Sequence, residues 1–211
     1  MDVGLFFTLE GPDGSGKSTQ IKRLAERLEE SGIRYVTTRE PGGTPISDRI
    51  RSLLLDPNNV EMTAKTEALL YAASRAQHVA EVIRPALEAG IVVICDRYID
   101  ASLAYQATGL GLPIRYVREL NEQATDGLWP TRTYLIDVPA EVGIGRVAQS
   151  RGTGLDRIEQ RDMNYHTRVR EQFLQIAGEE PQRFCVLDGT RTIDEVTDSI
   201  WADVRQFLIA E

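Results

Sequence analysis

Residues 11–18 read Gly11-Pro12-Asp13-Gly14-Ser15-Gly16-Lys17-Ser18, and no other stretch restricts the chain so strongly. The octet matches G-x-x-x-x-G-K-[ST], the pattern of a loop that turns backbone N–H groups toward a polyphosphate. Its glycines let the backbone approach phosphate oxygens with no Cβ in between. The flanks agree with that reading. An apolar run, Leu5-Phe6-Phe7-Thr8-Leu9, precedes the loop, and a helical pattern from 17 to about 31 follows it until Gly32. The start of that helix aims its positive dipole end at the same place. Gly11, Pro12, Asp13, Gly14, Ser15, Gly16, Lys17, Ser18 and Thr19 are therefore expected to hold a nucleoside triphosphate. Lys17 would bridge its β- and γ-phosphates, and the Ser18 hydroxyl would face magnesium. The octet alone implies triphosphate binding and leaves the reaction open.

Downstream, apolar strand patterns at 35–38, 91–95, 133–138 and 184–187 alternate with helical patterns. The helices are expected at 45 to about 54, 63–89, 114–126, 140–149, 162–178 and 193–208, with Pro85 kinking or splitting the long one. Alternation of this kind predicts an α/β fold: a parallel five-stranded sheet with helices on both faces. A length of 211 residues suits one domain, 1–211. Glycines and arginines mix between two helices at 149–157, which predicts a mobile lid at about 149–159. The net charge of −8 argues against a nucleic-acid partner. No apolar run approaches the roughly 18 residues of a membrane span. Cys95 and Cys185 sit in strand patterns and read as buried, reduced thiols. With no secretory signal pattern at 1–10, a cytoplasmic location is expected.

Charged residues gather at the ends of strand patterns, where open α/β sheets bind ligands. Asp96 and Arg97 follow the third strand; they suit a water-mediated magnesium contact and a phosphoryl clamp, or else a simple ion pair. Arg39 follows the second strand and suits a monoester phosphate, or else belongs to a surface loop. Tyr71 and Arg75 share one helix face, as a base-stacking ring with a base-reading guanidinium or as a packed tyrosine under a solvated arginine. Ser102 and Gln106 are open to the same two readings. His78 and His166 lie in helical patterns away from strand ends and read as surface or packing residues.

Six segments in this order resemble the thymidylate kinase family over nearly the whole chain. They are Phe-Thr-Leu-Glu-Gly-Pro-Asp-Gly-Ser-Gly-Lys-Ser-Thr (7–19), Thr-Arg-Glu-Pro-Gly-Gly-Thr (38–44), Leu-Tyr-Ala-Ala-Ser-Arg (70–75), Asp-Arg-Tyr (96–98), Ser-Leu-Ala-Tyr-Gln (102–106) and Asp-Arg-Ile-Glu (156–159). The resemblance implies a nucleoside-monophosphate-kinase-like P-loop fold, usually homodimeric, that uses ATP and Mg2+ to phosphorylate dTMP. It implies that Asp13 contacts the acceptor 3′-hydroxyl, Arg39 its phosphate, and Arg97 the phosphates in transfer. It places Tyr71, usually phenylalanine, on thymine, with Arg75, Ser102 and Gln106 reading the base. Tyr105 falls beside sugar C2′, where it disfavours ribonucleotides. Ser18 and Asp96 are the implied magnesium contacts. The variable P-loop positions carry no arginine, which resembles the bacterial type with a lid arginine: Arg151 first, Arg157 second. Asp13, Lys17, Arg97 and Arg151 form the implied catalytic set. Ala107-Thr108 departs from the glycine that many bacterial members carry after the Tyr-Gln pair. Two rivals remain open at this point: another small-molecule P-loop kinase, and a non-catalytic nucleotide switch.

Overall fold

Phe6 and Phe7 are both fully buried, although neighbours on a strand face opposite ways. A strand apolar on both faces belongs inside a helix-covered parallel sheet. The computed structural model, which describes residues 4–151 and 154–209 with the Arg151 side chain outside them, has that architecture. Its strands are β1 (Phe6–Glu10), β2 (Tyr35–Arg39), β3 (Val92–Asp96), β4 (Arg132–Asp137) and β5 (Phe184–Asp188). All pairings are parallel, in the order β2-β3-β1-β4-β5. Register decides where the functional residues gather. Asp96 stands beside Leu9 of β1 and beside Arg39 of β2, so three strands stop level with one another. The residues after them must converge.

One face of the sheet is sealed by α1 (Lys17–Glu30) and α9 (Ile193–Ile209), whose Leu24, Leu28, Ile200 and Val204 pack with Phe7, Ile94 and Tyr134. The other face packs Phe6, Val93 and Leu135 against Phe173 and Ile176 of α8 (Met163–Glu179) and Val117 of α6 (Ile114–Thr125). Near the site lie α2 (Pro45–Leu55) and α3 (Ala64–His78), the latter capped by the Thr63 hydroxyl. The long helix expected at 63–89 is continuous in its backbone but changes its hydrogen-bonding pattern midway. After α3 comes a π-helical turn, Val79–Ile83, and then α4 (Arg84–Glu88). Pro85 has no N–H to offer the preceding turn, and the missing bond falls just after the π-helical turn, where Arg84 N–H reaches back to Val79 O. After β3, α5 (Ile99–Ser102) widens into a second π-helical stretch, Leu103–Gly109, as happens often at working sites. Glu40–Pro41, which the sequence leaves undecided, is a cis bond.

The last described helix of the site, α7 (Ala140–Arg151), meets the phosphate loop backbone to backbone. A Cβ at Gly14, whose φ is 72°, would collide with the Gly143 carbonyl, and a Cβ at Gly143 with the Asp13 carbonyl. Gly143→Ala is therefore expected to destabilise the protein by about 1–3 kcal/mol, as overpacking does. Thermal unfolding should show a fall of roughly 2–10 °C for a chain of this size, whereas Gly145→Ala, which meets no atom within 4 Å, should not.

Candidate active site

Lys17 is buried beneath the phosphate loop and holds the loop's shape. Its Nζ donates to the carbonyls of Gly11 at 3.1 Å and Pro12 at 2.8 Å, and to Ser15 Oγ at 3.4 Å. Burial first, and then the nearby Arg97, pull its ammonium down to about 8. Beside it the Ser18 hydroxyl donates to Asp96 Oδ2 at 3.0 Å. These are two adjacent oxygen donors at an exposed edge, the donor chemistry Mg2+ takes. Among the described residues no cluster of three or more His, Cys, Asp or Glu could hold a metal.

Arg97 is the centre of the site. Its backbone is left-handed, with φ 70°, a strained conformation for a residue with a Cβ. Two bonds hold it there: Arg97 N–H donates to Leu9 O at 3.0 Å, and the next N–H, of Tyr98, to Glu10 Oε1 at 2.6 Å. The guanidinium then turns to the loop, donating to Gly11 O at 3.0 Å, Asp13 Oδ1 at 2.7 Å and the Tyr105 hydroxyl at 3.1 Å. Tyr105 in turn donates to Asp13 Oδ2 at 2.9 Å. Burial would raise the Asp13 carboxyl, but Arg97, Lys17 and the Tyr105 hydroxyl outweigh it and bring it to about 2. Asp13 is thus a firm anion.

Two cavities flank this cluster. The larger, about 830 Å³, is fronted by Gly14, Lys17, Ser18, Thr19, Arg39 and Arg146. The smaller, about 100 Å³, is walled by Tyr71, Ala101, Tyr105 and Gln106. Asp13, Glu40, Arg51, Arg97 and Glu159 line both. The cavities therefore meet at Asp13 and Arg97.

Most residues expected from the sequence are brought together here, though not all in the expected way. Arg39 faces the larger cavity with half its side chain exposed and donates to Asp48 at 3.0 Å. Tyr71 faces the smaller one. The alternative of a solvated Arg75 over a packed tyrosine is reversed: Arg75 is the fully buried member, 1% exposed. Its guanidinium donates to Glu40 Oε2 at 2.6 Å, Ser102 Oγ at 3.0 Å, Tyr98 O at 2.9 Å and Asn121 Oδ1. Arg75 and Ser102 are not among the residues lining either cavity; they back the smaller cavity's wall. Gln106 donates its amide to Glu67 Oε1 at 3.0 Å. A carboxylate only accepts, so the amide oxygen of Gln106 is the end left for the pocket. The Ala107-Thr108 departure sits inside the π-helical stretch, where Thr108 donates to Gln172 at 2.6 Å.

Arg157 is buried and anchored: it donates to Glu67 Oε2 at 2.7 Å and to Leu54 O at 2.8 Å. The second half of the expected lid is thus fastened to α2 and α3. Arg151 ends α7, and its side chain lies outside the described residues. His78 is a packing residue, as one of the two sequence readings has it, but it does not lie away from strand ends. Packing of α3 brings it to the end of β2, where it is fully buried between Thr38 and Glu40. Glu67 and Arg146 carry no motif signal that separates them from ordinary charged residues; Glu10 and Glu40 stand inside two of the six segments, yet sequence reasoning gave neither a role.

The thymidylate kinase family model matches residues 9–200. The chain belongs to the thymidylate kinase family. A thymidylate kinase of Deinococcus radiodurans is 52% identical over 206 residues, covering 98% of each chain. One of Exiguobacterium sibiricum is also 52% identical, covering 98% of this chain and 96% of its own. A crystal structure of thymidylate kinase from Ehrlichia chaffeensis superposes with a TM-score of 0.79 at 34% identity, over 96% of this chain and 99% of that one. The five-stranded parallel sheet is that of a P-loop kinase.

Glu10 is the least expected group of the thymidylate kinase site. It is fully buried, and its Oε2 has no hydrogen-bond partner. Burial first, then the Asp100 carboxylate, push its carboxyl up to about 8, against the pull of Arg97 and Lys17. A raised folded value means that the folded state holds the proton better, so this contribution is complete below the ordinary 4.5 and is lost as pH rises to about 8. Urea unfolding of wild type and Glu10→Gln at pH 5 and pH 9 is expected to show wild type losing ground to the variant as pH rises.

Proposed function

We propose that this chain transfers the γ-phosphate of ATP to dTMP, giving dTDP and ADP. The observation that carries the reading is the meeting of the two cavities at Asp13 and Arg97, one with a phosphate loop and one with an aromatic wall. A donor triphosphate in the first and an acceptor nucleotide in the second would place the migrating phosphoryl against Arg97. Membership of the thymidylate kinase family, whose members use ATP, supports the choice of substrates.

Gly11 to Thr19 hold the ATP phosphates, with Lys17 on the β- and γ-groups, and Arg146 lines the same cavity beside the loop, donating to Gly14 O at 3.4 Å and Gly189 O at 3.2 Å. Ser18, and Asp96 through water, would hold Mg2+, which would supply neutralisation of phosphate charge. In the acceptor cavity Tyr71 offers its ring to thymine and Gln106 its amide oxygen, with Arg75 and Ser102 behind them. Tyr105 stands beside the sugar, and the anionic Asp13 accepts from its 3′-hydroxyl. Arg39 takes the acceptor phosphate. That phosphate is already a nucleophile near neutral pH, since its second pKa is about 6. No general base is needed, and the work of the site is alignment and charge neutralisation.

Arg151, at the end of α7, brings the remaining positive charge as part of a lid at about 149–159 in an otherwise single kinase domain. The exposed Ile46 and Leu53 of α2 and Leu69 of α3 support pairing of two copies into a homodimer. No described helix is long and apolar enough to cross a membrane, and the net charge of −8 speaks against nucleic acid; we place the enzyme in the cytoplasm.

In an ADP-release assay with ATP, dTMP should outcompete dUMP, dCMP and thymidine, and its failure to do so would sink the substrate assignment. Arg151→Ala should cut kcat about 10²–10³-fold, by analogy with loss of one charge-stabilising donor, with unchanged melting. Arg157→Ala should instead cost about 1.5–3 kcal/mol of stability, because it removes a buried charged hydrogen bond and leaves Glu67 with Arg161 and Gln106 alone.

A further inference from the structure

Thr38, His78 and Glu40 form a hydrogen-bonded chain that none of the roles above uses. Thr38 Oγ1 lies 2.6 Å from His78 Nε2, and His78 Nδ1 lies 2.9 Å from Glu40 Oε1. The other Glu40 oxygen accepts from Arg75 at 2.6 Å. Histidine and carboxylate are both buried. Since a carboxylate accepts only, Nδ1 carries a proton toward Glu40, and Nε2 is the nitrogen that meets the threonine hydroxyl.

Hydroxyl, imidazole and carboxylate stand in the order of a hydrolytic relay. Two facts exclude that use. His78 has no exposed surface, and Glu40 commits its second oxygen to Arg75. What the chain can do is hold. Thr38 and Glu40 are the two neighbours of Arg39, and alternation along the strand sends Arg39 to the opposite side, toward the larger cavity. The ring also leaves no room beyond glycine at Gly43, where a Cβ would stand 2.7 Å from its Cδ2. Gly43 N–H donates to the same Asp48 oxygen that accepts from Arg39, at 3.2 Å and 3.0 Å. The imidazole thus fixes the backbone on both sides of Arg39 and the loop that carries its counter-ion.

We propose that His78 is a positioning residue for the acceptor phosphate, setting through Thr38 and Glu40 the place where Arg39 meets it. The proposal rests on the reading of Arg39 as the acceptor-phosphate clamp. It is tested with Thr38→Val, which keeps shape and removes the hydroxyl, and His78→Asn, whose amide N–H still reaches toward Glu40. Both are measured singly, together, and with Arg39→Ala, using purified enzyme, ATP and dTMP.

The expected result is a roughly tenfold rise in KM for dTMP in each single variant, the effect of one lost buried hydrogen bond. KM for ATP should stay unchanged, the Thr38/His78 double variant should be no worse than the weaker single one, and Thr38→Val should add nothing on the Arg39→Ala background. Equal rises in both KM values would overturn the proposal, as would a Thr38→Val effect that persists without Arg39. An Arg39→Ala enzyme with unchanged KM for dTMP overturns the clamp reading itself. A strong Arg39→Ala effect beside a silent Thr38→Val overturns the positioning role alone.

Discussion

Arg97 and Asp13 meet at 2.7 Å where the two cavities join, and much of the surrounding structure exists to keep them there. One partner comes from the end of β3, the other from the loop after β1. They converge because those strands are paired in register up to Asp96 and Leu9. The left-handed backbone at Arg97 is what turns its guanidinium back over the loop, and bonds from Leu9 and Glu10 offset that strain. Neither charge is simply exposed to water. The Gly11 carbonyl and the Tyr105 hydroxyl accept further Arg97 N–H groups, and Tyr105 donates to the other Asp13 oxygen, so the pair is steadied from both sides.

A chain of net charge −8 has to bind two highly charged nucleotides, and local geometry resolves the conflict. Lys17, Arg39, Arg97 and Arg146 all line the phosphate cavity, while carboxylates are held behind or beside them as counter-ions. Glu40 neutralises Arg75, Glu67 neutralises Arg157 and Arg161, and Asp48 steadies Arg39. Each arginine is aimed by a partner before substrate arrives. Preorganisation of this sort spares the reaction the cost of arranging charges during transfer.

What the sequence shows and what it hides divide along physical lines. The phosphate loop and the five strands depend on local pattern, so Gly11 to Ser18 and runs such as 91–95 are readable directly. Arg39 and Arg97 are legible through topology, since parallel strands end together. His78 and Glu40 are not: their roles arise from α3 packing on the end of β2, and a helical histidine looks the same in either setting. The Tyr71–Arg75 spacing shows that the pair shares a face, but which member is buried depends on Glu40, Ser102 and Asn121, residues distant in sequence. The fixed position of Arg157 is half legible. The Asp-Arg-Ile-Glu context hints at a fixed arginine, and only the three-dimensional placement of Glu67 explains it.

The most direct test of a transfer path across Arg97 is a crystal structure with adenosine and thymidine joined 5′ to 5′ through a phosphate chain. Thymine should lie against Tyr71 and Gln106, the adenosine phosphates on the loop from Gly11 to Ser18, and the bridging phosphates against Arg97. Both nucleosides packed into the larger cavity, or a phosphate chain that passes Arg97 without contact, would contradict the account.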